Sequence, residues 1–404
     1  MPNKSEIAPP NMPPPSTSHI RLRGRSLDDL TDFVQRTGKP AFRAKQLFQW
    51  LYEKGADSFD AMTNLPKDFR AWLSENAQLG GVELAKITGE SSATQKLLFK
   101  TNDGEHIESV IMRGEVDSES DDEEEAEDEE VSEYEARKLK GKQAAEILPM
   151  PGSTPPQRKV TLCVSSQIGC TLGCTFCMTG HGGFCRNLRI DEILGQVIEA
   201  RRLLAADERI SNIVFMGMGE PMMNLKSVIP ALRILTNANG FNFAPRRITV
   251  STAGVVPGIE EFVAAETGVK LAISLNASTQ QLRDQLMPGC HNWPIEMLLD
   301  LCRRIPLTKR QRITFEYVLL KGFNDAPADV RRLKTLLTGI ACKINLILYN
   351  PNEHSALEST TEAAAESFRA SLAKVHFTAS LRISKGREHQ AACGQLAGHT
   401  RPKR

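Results

Sequence analysis

Between residues 159 and 384 short apolar runs alternate with amphipathic stretches. The apolar runs are VTLCVSS (160–166), NIVFM (212–216), RITVS (247–251), KLAISL (270–275), ITFEYVLL (313–320), KINLILY (343–349) and FTASLRIS (377–384). Helix-period patterns fill the gaps at 191–205, 224–238, 257–266, 294–304, 327–338 and 361–374. Strands followed by crossover helices predict an α/β fold with a parallel sheet and right-handed connections. Six βα units are too few to close an eight-fold barrel, so the pattern predicts an open or partial (βα)6 barrel over 158–397.

Upstream the period changes twice. Residues 26–76 read as three helices. SLDDLTDFVQRTG has Ser26 as N-cap and stops at Gly38; AFRAKQLFQWLYEKG puts Ala44, Leu47, Phe48, Leu51 and Tyr52 on one face; LPKDFRAWLSENA follows. They predict a small helical domain over 21–80, with Arg43, Lys45, Lys54, Lys67 and Arg70 between the apolar stripes. ELAKITG, TQKLLFKT and EHIESVIM then alternate as strands. The turn Asn102-Asp103-Gly104 joins the last two, giving a β-hairpin extension over 81–113.

Composition adds the flanks. Residues 1–20 are proline-rich and polar and read as a disordered tail without the apolar core of a signal peptide. Residues 115–135 hold 14 acids and no Lys or Arg. With few aromatics and a block of like charge, 114–157 is expected to be a disordered insertion. Of 49 acids, 35 then face 50 Lys and Arg, so the rest of the chain is near +15. A basic body suits a polyanionic partner such as nucleic acid, although surplus Lys and Arg also serve as plain solvated surface. A basic tail closes the chain at 398–404. No stretch approaches the roughly 20 apolar residues of a membrane helix. Nine cysteines in a chain without a signal peptide point to metal or redox chemistry rather than a disulfide framework.

In parallel βα folds chemistry gathers after the C-terminal ends of strands. CTLGCTFC follows the first strand and brings Cys170, Cys174 and Cys177 to one loop. A structural zinc site wants four ligands, which His181 or Cys185 in HGGFCRN would have to complete. A 4Fe–4S cluster on three cysteines leaves one iron open for a small molecule carrying an amine and a carboxylate. Other strand ends carry Gly217, Gly219, Glu220 and Pro221 in FMGMGEP, Ser251 in ITVSTAG, Ser274, Leu275 and Asn276 in LAISLNAS, and Asn350 in LILYNPNE. Glycine in such a turn allows close approach of the backbone to a ligand. Each polar residue there has a helix N-cap as its alternative role.

The C-x3-C-x2-C spacing, with Phe176 before the last cysteine, resembles the radical S-adenosylmethionine superfamily. TLCVSSQIGC, FMGMGEP, ITVSTAG and AACGQL narrow the resemblance to the RNA methyltransferases of that superfamily that methylate adenine carbons, over roughly 22–112 and 158–397. The branch resembled makes 2-methyladenosine in 23S rRNA and in some tRNAs; the related resistance enzymes that methylate C8 are the alternative. Other readings are a non-catalytic RNA-binding protein with a structural metal site, and a radical enzyme acting on a small molecule. Two features depart from the family: the long insertion, and Asn276 where a His is common.

The resemblance implies a 4Fe–4S cluster on Cys170, Cys174 and Cys177. It implies S-adenosylmethionine held by Gly219, Glu220, Ser251, Ser274, Leu275, Asn276 and Asn350. It implies a catalytic pair, Cys393 and Cys163: Cys393 takes a methyl from one S-adenosylmethionine. A second, reduced by the cluster, yields the radical that removes hydrogen from that methyl. The carbon radical adds to adenine, and Cys163 releases the crosslink, leaving a Cys163–Cys393 disulfide. Glu108 would be the proton acceptor; otherwise it is a strand carboxylate. A lone Cys is otherwise a small buried hydrophobe, the alternative for Cys163 and Cys393; Cys185, Cys290, Cys302 and Cys342 are read as bystanders. Loops and single-stranded RNA would be the targets, with the helical domain on the backbone. A flavodoxin-type electron donor, a monomeric state and a cytoplasmic location complete the expectation.

Overall fold

The computed structural model describes residues 19–113, 158–308, 311–352, 354–382 and 391–398. The expected insertion at 114–157 lies outside these residues, as do the tails apart from His19, Ile20 and Gly398.

The N-terminal part forms as its pattern predicts. Ile20–Arg21 (β1) precedes helix α1 (Leu27–Arg36), which opens on Ser26 in a capping box with Asp29. Helix α2 (Phe42–Phe48) runs into a π-helical turn at Gln49–Glu53, and α3 (Lys67–Asn76) leads to β2 (Ala77–Gln78). The tail expected through residue 20 ends sooner: Ile20 pairs in parallel with Ala77, because closing the three helices brings the two ends of the domain side by side. The predicted face, Ala44, Leu47, Phe48, Leu51 and Tyr52, is fully buried. Tyr52 keeps its hydroxyl satisfied by accepting from Gly24 N at 2.9 Å and donating to Arg25 O at 2.8 Å.

The next strands are β3 (Glu83–Thr88), β4 (Gln95–Lys100) and β5 (His106–Arg113). They are an antiparallel meander continuous with the barrel sheet rather than a separate extension. β5 pairs with β6 (Arg158–Cys163), Val110 opposite Cys163. Arg113 and Glu208 close this seam as a buried pair 2.8 Å apart.

Beyond β6 comes a short hairpin that the apolar pattern did not show, β7 (Gln167–Gly169) and β8 (Phe184–Asn187), enclosing the cysteine loop and the short helix α4 (Met178–His181). The barrel then runs α5 (Ile190–Arg202), β9 (Glu208–Phe215), α6 (Leu225–Thr236), β10 (Ile248–Thr252), α7 (Val256–Ala264) and β11 (Lys270–Ser274). Helices α8 (Gln280–Leu286) and α9 (Ile295–Arg304), strand β12 (Ile313–Leu319), α10 (Pro327–Leu337), β13 (Cys342–Leu348), α11 (Glu362–Lys374) and β14 (Ala379–Arg382) complete it. Among the described residues the sheet has ten strands, in the order β14-β13-β12-β11-β10-β9-β6-β5-β4-β3. From β6 to β14 every neighbouring pair is parallel, as six βα crossovers require. The helical domain and the barrel share one continuous core. Tyr52 packs on Phe241 with ring centroids 5.6 Å apart, and Arg201 Nη1 donates to Tyr52 O at 3.0 Å.

Gly169 carries the tightest constraint in the hairpin. Its φ is +75°, and a Cβ there would lie 1.8 Å from Gly183 O, a backbone atom that cannot rotate away. We expect Gly169→Ala to open the hairpin next to Cys170, costing about 2–4 kcal/mol in urea unfolding. Unchanged stability would contradict this reading of the turn.

Candidate active site

The cysteine loop is fixed from three sides. Cys170 N donates to Gly183 O at 2.9 Å across the hairpin. Thr175 N donates to Leu286 O at 3.0 Å and Gly289 N to Leu172 O at 2.9 Å, tying the loop to the end of α8. Met178 N donates to Gly394 O at 2.7 Å, tying it to the C-terminal segment. The three thiols thus form one wall of a cavity enclosing about 990 Å³ of space, part of it open to solvent. Burial pushes the Cys170 thiol up to about 12 and the Cys174 thiol well above its ordinary value, with the neighbouring thiols adding to both.

The opposite wall comes from strand ends. Gly219, Glu220, Ser251, Ser274, Asn276 and Asn350 all line the cavity, together with Glu316 and Cys393. The glycines of FMGMGEP line the cavity and are also required by packing. A Cβ on Gly217 would sit 2.7 Å from Val164 O, and one on Gly219, at φ +95°, 2.4 Å from Gln167 Cβ. They let this turn nest against the segment between β6 and β7. Glu220 is buried and braces the turn; its Oε1 accepts from Met222 N at 3.0 Å and Oε2 from Ala253 N at 2.8 Å. Burial raises its carboxyl above the usual range, opposed by these hydrogen bonds. Asn276 has φ +56°, a conformation Asn tolerates, and its Oδ1 accepts from Val318 N at 2.9 Å. Leu275 stands apart. Its side chain is in the main core, its N–H donates to Glu316 O at 3.0 Å, and its carbonyl accepts from Arg283 Nη1 at 2.8 Å.

Cys393 reaches this cavity on a turn stapled in place. Asn350 Nδ2 donates to Cys393 O at 3.1 Å, Gln395 Nε2 to Pro351 O at 3.1 Å and Thr179 Oγ1 to Leu396 O at 2.6 Å. The thiol is exposed by surface area, yet its surroundings are cavity wall, and burial raises its pKa, with the Glu316 carboxylate adding to the rise. Cys163, at the end of β6, is buried, and its thiol is raised far above normal by burial and then by Cys393. The two cysteines are free thiols within electrostatic reach of one another. Glu108 is buried on β5 outside the cavity wall. Its Oε1 lies 3.2 Å from Lys96 Nζ and its Oε2 accepts from Ala397 N at 2.9 Å, so it latches the segment that carries Cys393.

Three residues of this region escaped the sequence reading as functional positions. Arg283 is fully buried; it donates to the carbonyls of Ser274, Leu275 and Ala253, while its Nε has no hydrogen-bond partner among the described residues. Cys290, read as a bystander, is buried within electrostatic reach of Cys170, Cys174 and Arg283. Glu316 did carry a signal, an acid in the middle of the apolar run ITFEYVLL. His181 and Cys185 lie off the thiol wall: His181 Nε2 meets Thr175 O at 3.2 Å, and Cys185 is exposed on β8. Cys302 and Cys342 are buried in the core as expected.

Comparison with known proteins agrees with this geometry. The radical SAM superfamily model matches residues 164–333, and that of the ribosomal RNA large subunit methyltransferase N-terminal domain matches residues 20–79. A crystal structure of a radical SAM methyltransferase from Sphaerobacter thermophilus superposes with a TM-score of 0.79 at 36% identity, covering 93% of this chain and 99% of that one. Dual-specificity RNA methyltransferase RlmN of Geobacter sulfurreducens is 41% identical over 94% of this chain and 92% of its own. RlmN 2 of Myxococcus xanthus is 42% identical over 97% of this chain and 94% of its own. The chain belongs to the RlmN family of radical SAM RNA methyltransferases.

Enzymes of this superfamily use a 4Fe–4S cluster and S-adenosylmethionine, and the residues present suit both. A single tetrahedral ion needs its sulfurs roughly 4 Å apart, given metal–sulfur bonds of about 2.3 Å. Among the described residues no three potential ligands close on one point in that way. A four-iron cluster takes each thiolate at a different iron and does not ask for it. An anionic cluster would also answer the buried Arg283 charge, whose hydrogen bonds run to neutral carbonyls. The cavity beside the thiols gathers Ser251, Ser274, Asn276 and Asn350 at its rim, polar groups that a cofactor carrying an amine, a carboxylate and a nucleoside can use.

The latch gives a direct expectation. In Glu108→Ala the Ala397 amide loses its acceptor, and hydrogen exchange there should quicken by at least about tenfold. Glu108→Gln, which keeps an acceptor oxygen, should stay near the wild-type rate. Equal rates in all three proteins would show that the carboxylate does not hold the segment.

Proposed function

We propose that this enzyme methylates carbon 2 of adenine in 23S rRNA, and also in tRNA, through the Cys393–Cys163 pair. The observation that carries this reading is the placement of the two thiols. One is on a stapled turn at the cavity and the other is at the adjoining strand end, within charge-coupling distance of each other and beside a wall of three further cysteines. A protein with a merely structural metal site has no use for that second pair.

In this reading Cys170, Cys174 and Cys177 hold the cluster. Gly219, Glu220, Ser251, Ser274, Asn276 and Asn350 shape the room for S-adenosylmethionine, while Leu275, with its N–H on Glu316 O and its carbonyl on Arg283, braces the strand end beside them. When bound, these cofactors supply single electrons, a methyl group and hydrogen-abstracting chemistry. Cys393 accepts the methyl and carries it to the base, covalent catalysis that suits a ring carbon too electron-poor to attack a methyl donor itself. After hydrogen is lost from the methyl and its carbon adds to the ring, Glu108, fixed between Lys96 and Ala397 N, would accept the ring proton and the odd electron of the adduct would pass to the bound cluster. Cys163 then attacks the Cys393 sulfur. The carbon–sulfur pair leaves with the methylated base, which takes up a proton, and the two cysteines end as a disulfide. The basic surface binds the RNA backbone. On the helical domain, Lys54 lies over Trp50 at 4.1 Å and Arg43 over Phe42 at 4.6 Å, pairing charge with rings on which bases can stack. No described helix is long and apolar enough to cross a membrane. A cytoplasmic monomer supplied with electrons by a flavodoxin-type donor fits this chemistry.

Two experiments test the reading. Unmodified 23S rRNA, incubated anaerobically with reconstituted enzyme, S-adenosylmethionine and reductant, should yield 2-methyladenosine by nucleoside mass spectrometry. 8-Methyladenosine would move the chain to the other branch, and no methylated adenosine would refute the reading. Cys393→Ala should abolish methyl transfer while keeping cluster absorbance, and Cys163→Ala should trap a protein–RNA crosslink. Normal turnover by Cys163→Ala would exclude the two-cysteine route.

A further inference from the structure

Glu316 is a buried acid that neither the cofactor contacts nor the thiol pair accounts for. It sits on β12, in a polar row that crosses four parallel strands in register: Ser274 opposite Glu316, Glu316 opposite Asn345, Asn345 opposite Ser380. Ser380 Oγ donates to Asn345 Oδ1, which turns the Asn345 amide so that Nδ2 donates to Glu316 Oε1 at 3.2 Å. The carboxylate is thereby oriented from the outer strands while Glu316 lines the cavity that Cys393 also lines.

Among charged groups, Glu316 has the largest influence on the Cys393 thiol, ahead of Arg382 and Cys177. The other cavity acid and the nearby latch are committed elsewhere: Glu220 to Met222 N and Ala253 N, Glu108 to Lys96 and Ala397 N. Cys393 must shed its proton to become a nucleophile, and burial works against that. A base with a pKa near the working pH is what such a thiol needs.

We infer that Glu316 is the general base that takes the proton from Cys393 when the thiol attacks a methyl donor. The inference rests on the reading of Cys393 as methyl acceptor. The Sγ–H proton passes to a Glu316 carboxylate oxygen. The S–H electron pair becomes the new sulfur–methyl bond, and the pair of the broken methyl–sulfonium bond leaves with the donor's sulfur. Glu316 then returns its proton to solvent. Burial lifts the Glu316 carboxyl above its ordinary range, while Arg382 from β14, the Asn345 hydrogen bond and Lys343 from β13 oppose the rise. Around Cys393 the described charged and titratable groups are Glu316, Arg382, Cys177 and Cys163.

The sign of the pH dependence follows. Below the carboxyl pKa both groups are protonated and reaction slows. Between the two pKa values the pair holds one proton, and the rate through the shared-proton state is flat with pH. A thiol without a base instead gains about tenfold per pH unit up to its own pKa.

The test uses the cluster-loaded enzyme and iodoacetamide, a small neutral electrophile, with alkylation of the Cys393 peptide followed by mass spectrometry from pH 5.5 to 9 (chosen to span about two units either side of neutrality). Wild type should show a break and a flat region. Glu316→Gln, which keeps an oxygen for Asn345, should lose the flat region and rise log-linearly. A wild-type profile with no flat region, or a flat region surviving in Glu316→Gln, overturns the inference. Should Glu316→Gln fail to load a cluster, Glu316→Asp is read in its place. There a lowered flat region supports the inference and a break identical in height and position to wild type overturns it. Methylation of Cys393 in enzyme incubated with S-adenosylmethionine, a gain of one methyl on the same peptide, is scored separately. A flat region without methylation removes the methyl-acceptor reading alone; methylation without a flat region removes the Glu316 inference alone.

Discussion

The site depends on a meeting between two segments that are far apart in the chain. Thr179 and Leu396 are 217 residues apart, yet the Thr179 hydroxyl donates to the Leu396 carbonyl, one residue from where Met178 N donates to Gly394 O. These bonds set the cysteine loop and the Cys393 turn edge to edge. The cysteine loop packs through Leu172 into a small apolar cluster with Leu286, Met287 and Tyr349, and Leu396 reaches the main core, so burial brings the two segments together and directional hydrogen bonds fix how they meet. The supports around them have the same character: Asn350 on the Cys393 carbonyl, Gln395 on Pro351, Glu108 on Ala397.

This explains the balance of charge and burial in the cavity. Thiols, carboxylates and a guanidinium are gathered where water is scarce, so the thiols favour their neutral forms until a ligand or a proton acceptor changes the balance. Burial raises Cys163, Cys170, Cys174 and Cys393 alike, by the same physical cause. Their neighbours separate them. Cys174 stands among other thiols and near the Arg283 cation, Cys170 among thiols and near the Glu220 carboxylate, whereas Cys393 faces the Glu316 carboxylate and the Arg382 cation. One kind of side chain can therefore serve as metal ligand in one corner and as nucleophile in another.

Much of this was legible in the sequence. The seven parallel strands and the helices between them follow from the alternation of apolar runs and helical stripes, because that pattern is a direct image of burial on each face. The Ser26 cap, the buried face from Ala44 to Tyr52 and the cysteine loop after the first barrel strand were all readable for the same reason. The β7–β8 hairpin was not, since QIG and FCRN are too short and too mixed to show a period. The packing of Gly217 and Gly219 against the segment after β6 was not readable either, because a glycine in a turn signals close approach without saying to what. Arg283 left no trace, for a basic residue in a helical stretch reads as surface until the loops that close over it are known.

The polar row across the sheet has a wider meaning. Ser274, Glu316, Asn345 and Ser380 share a face only because four strands keep one alignment. Side chains alternate along a strand, so a slip of one residue in β12 would send Glu316 to the helix-covered side and bring an apolar neighbour to the cavity. The slip would also turn Thr314 and Glu316 toward the face now filled by Ile313, Phe315, Tyr317 and Leu319, so hydrophobic burial resists it as well. The lateral hydrogen bonds from Ser380 to Asn345 to Glu316 act as an index mark, tying the reactive arrangement to the one pairing in which the donors and acceptors coincide.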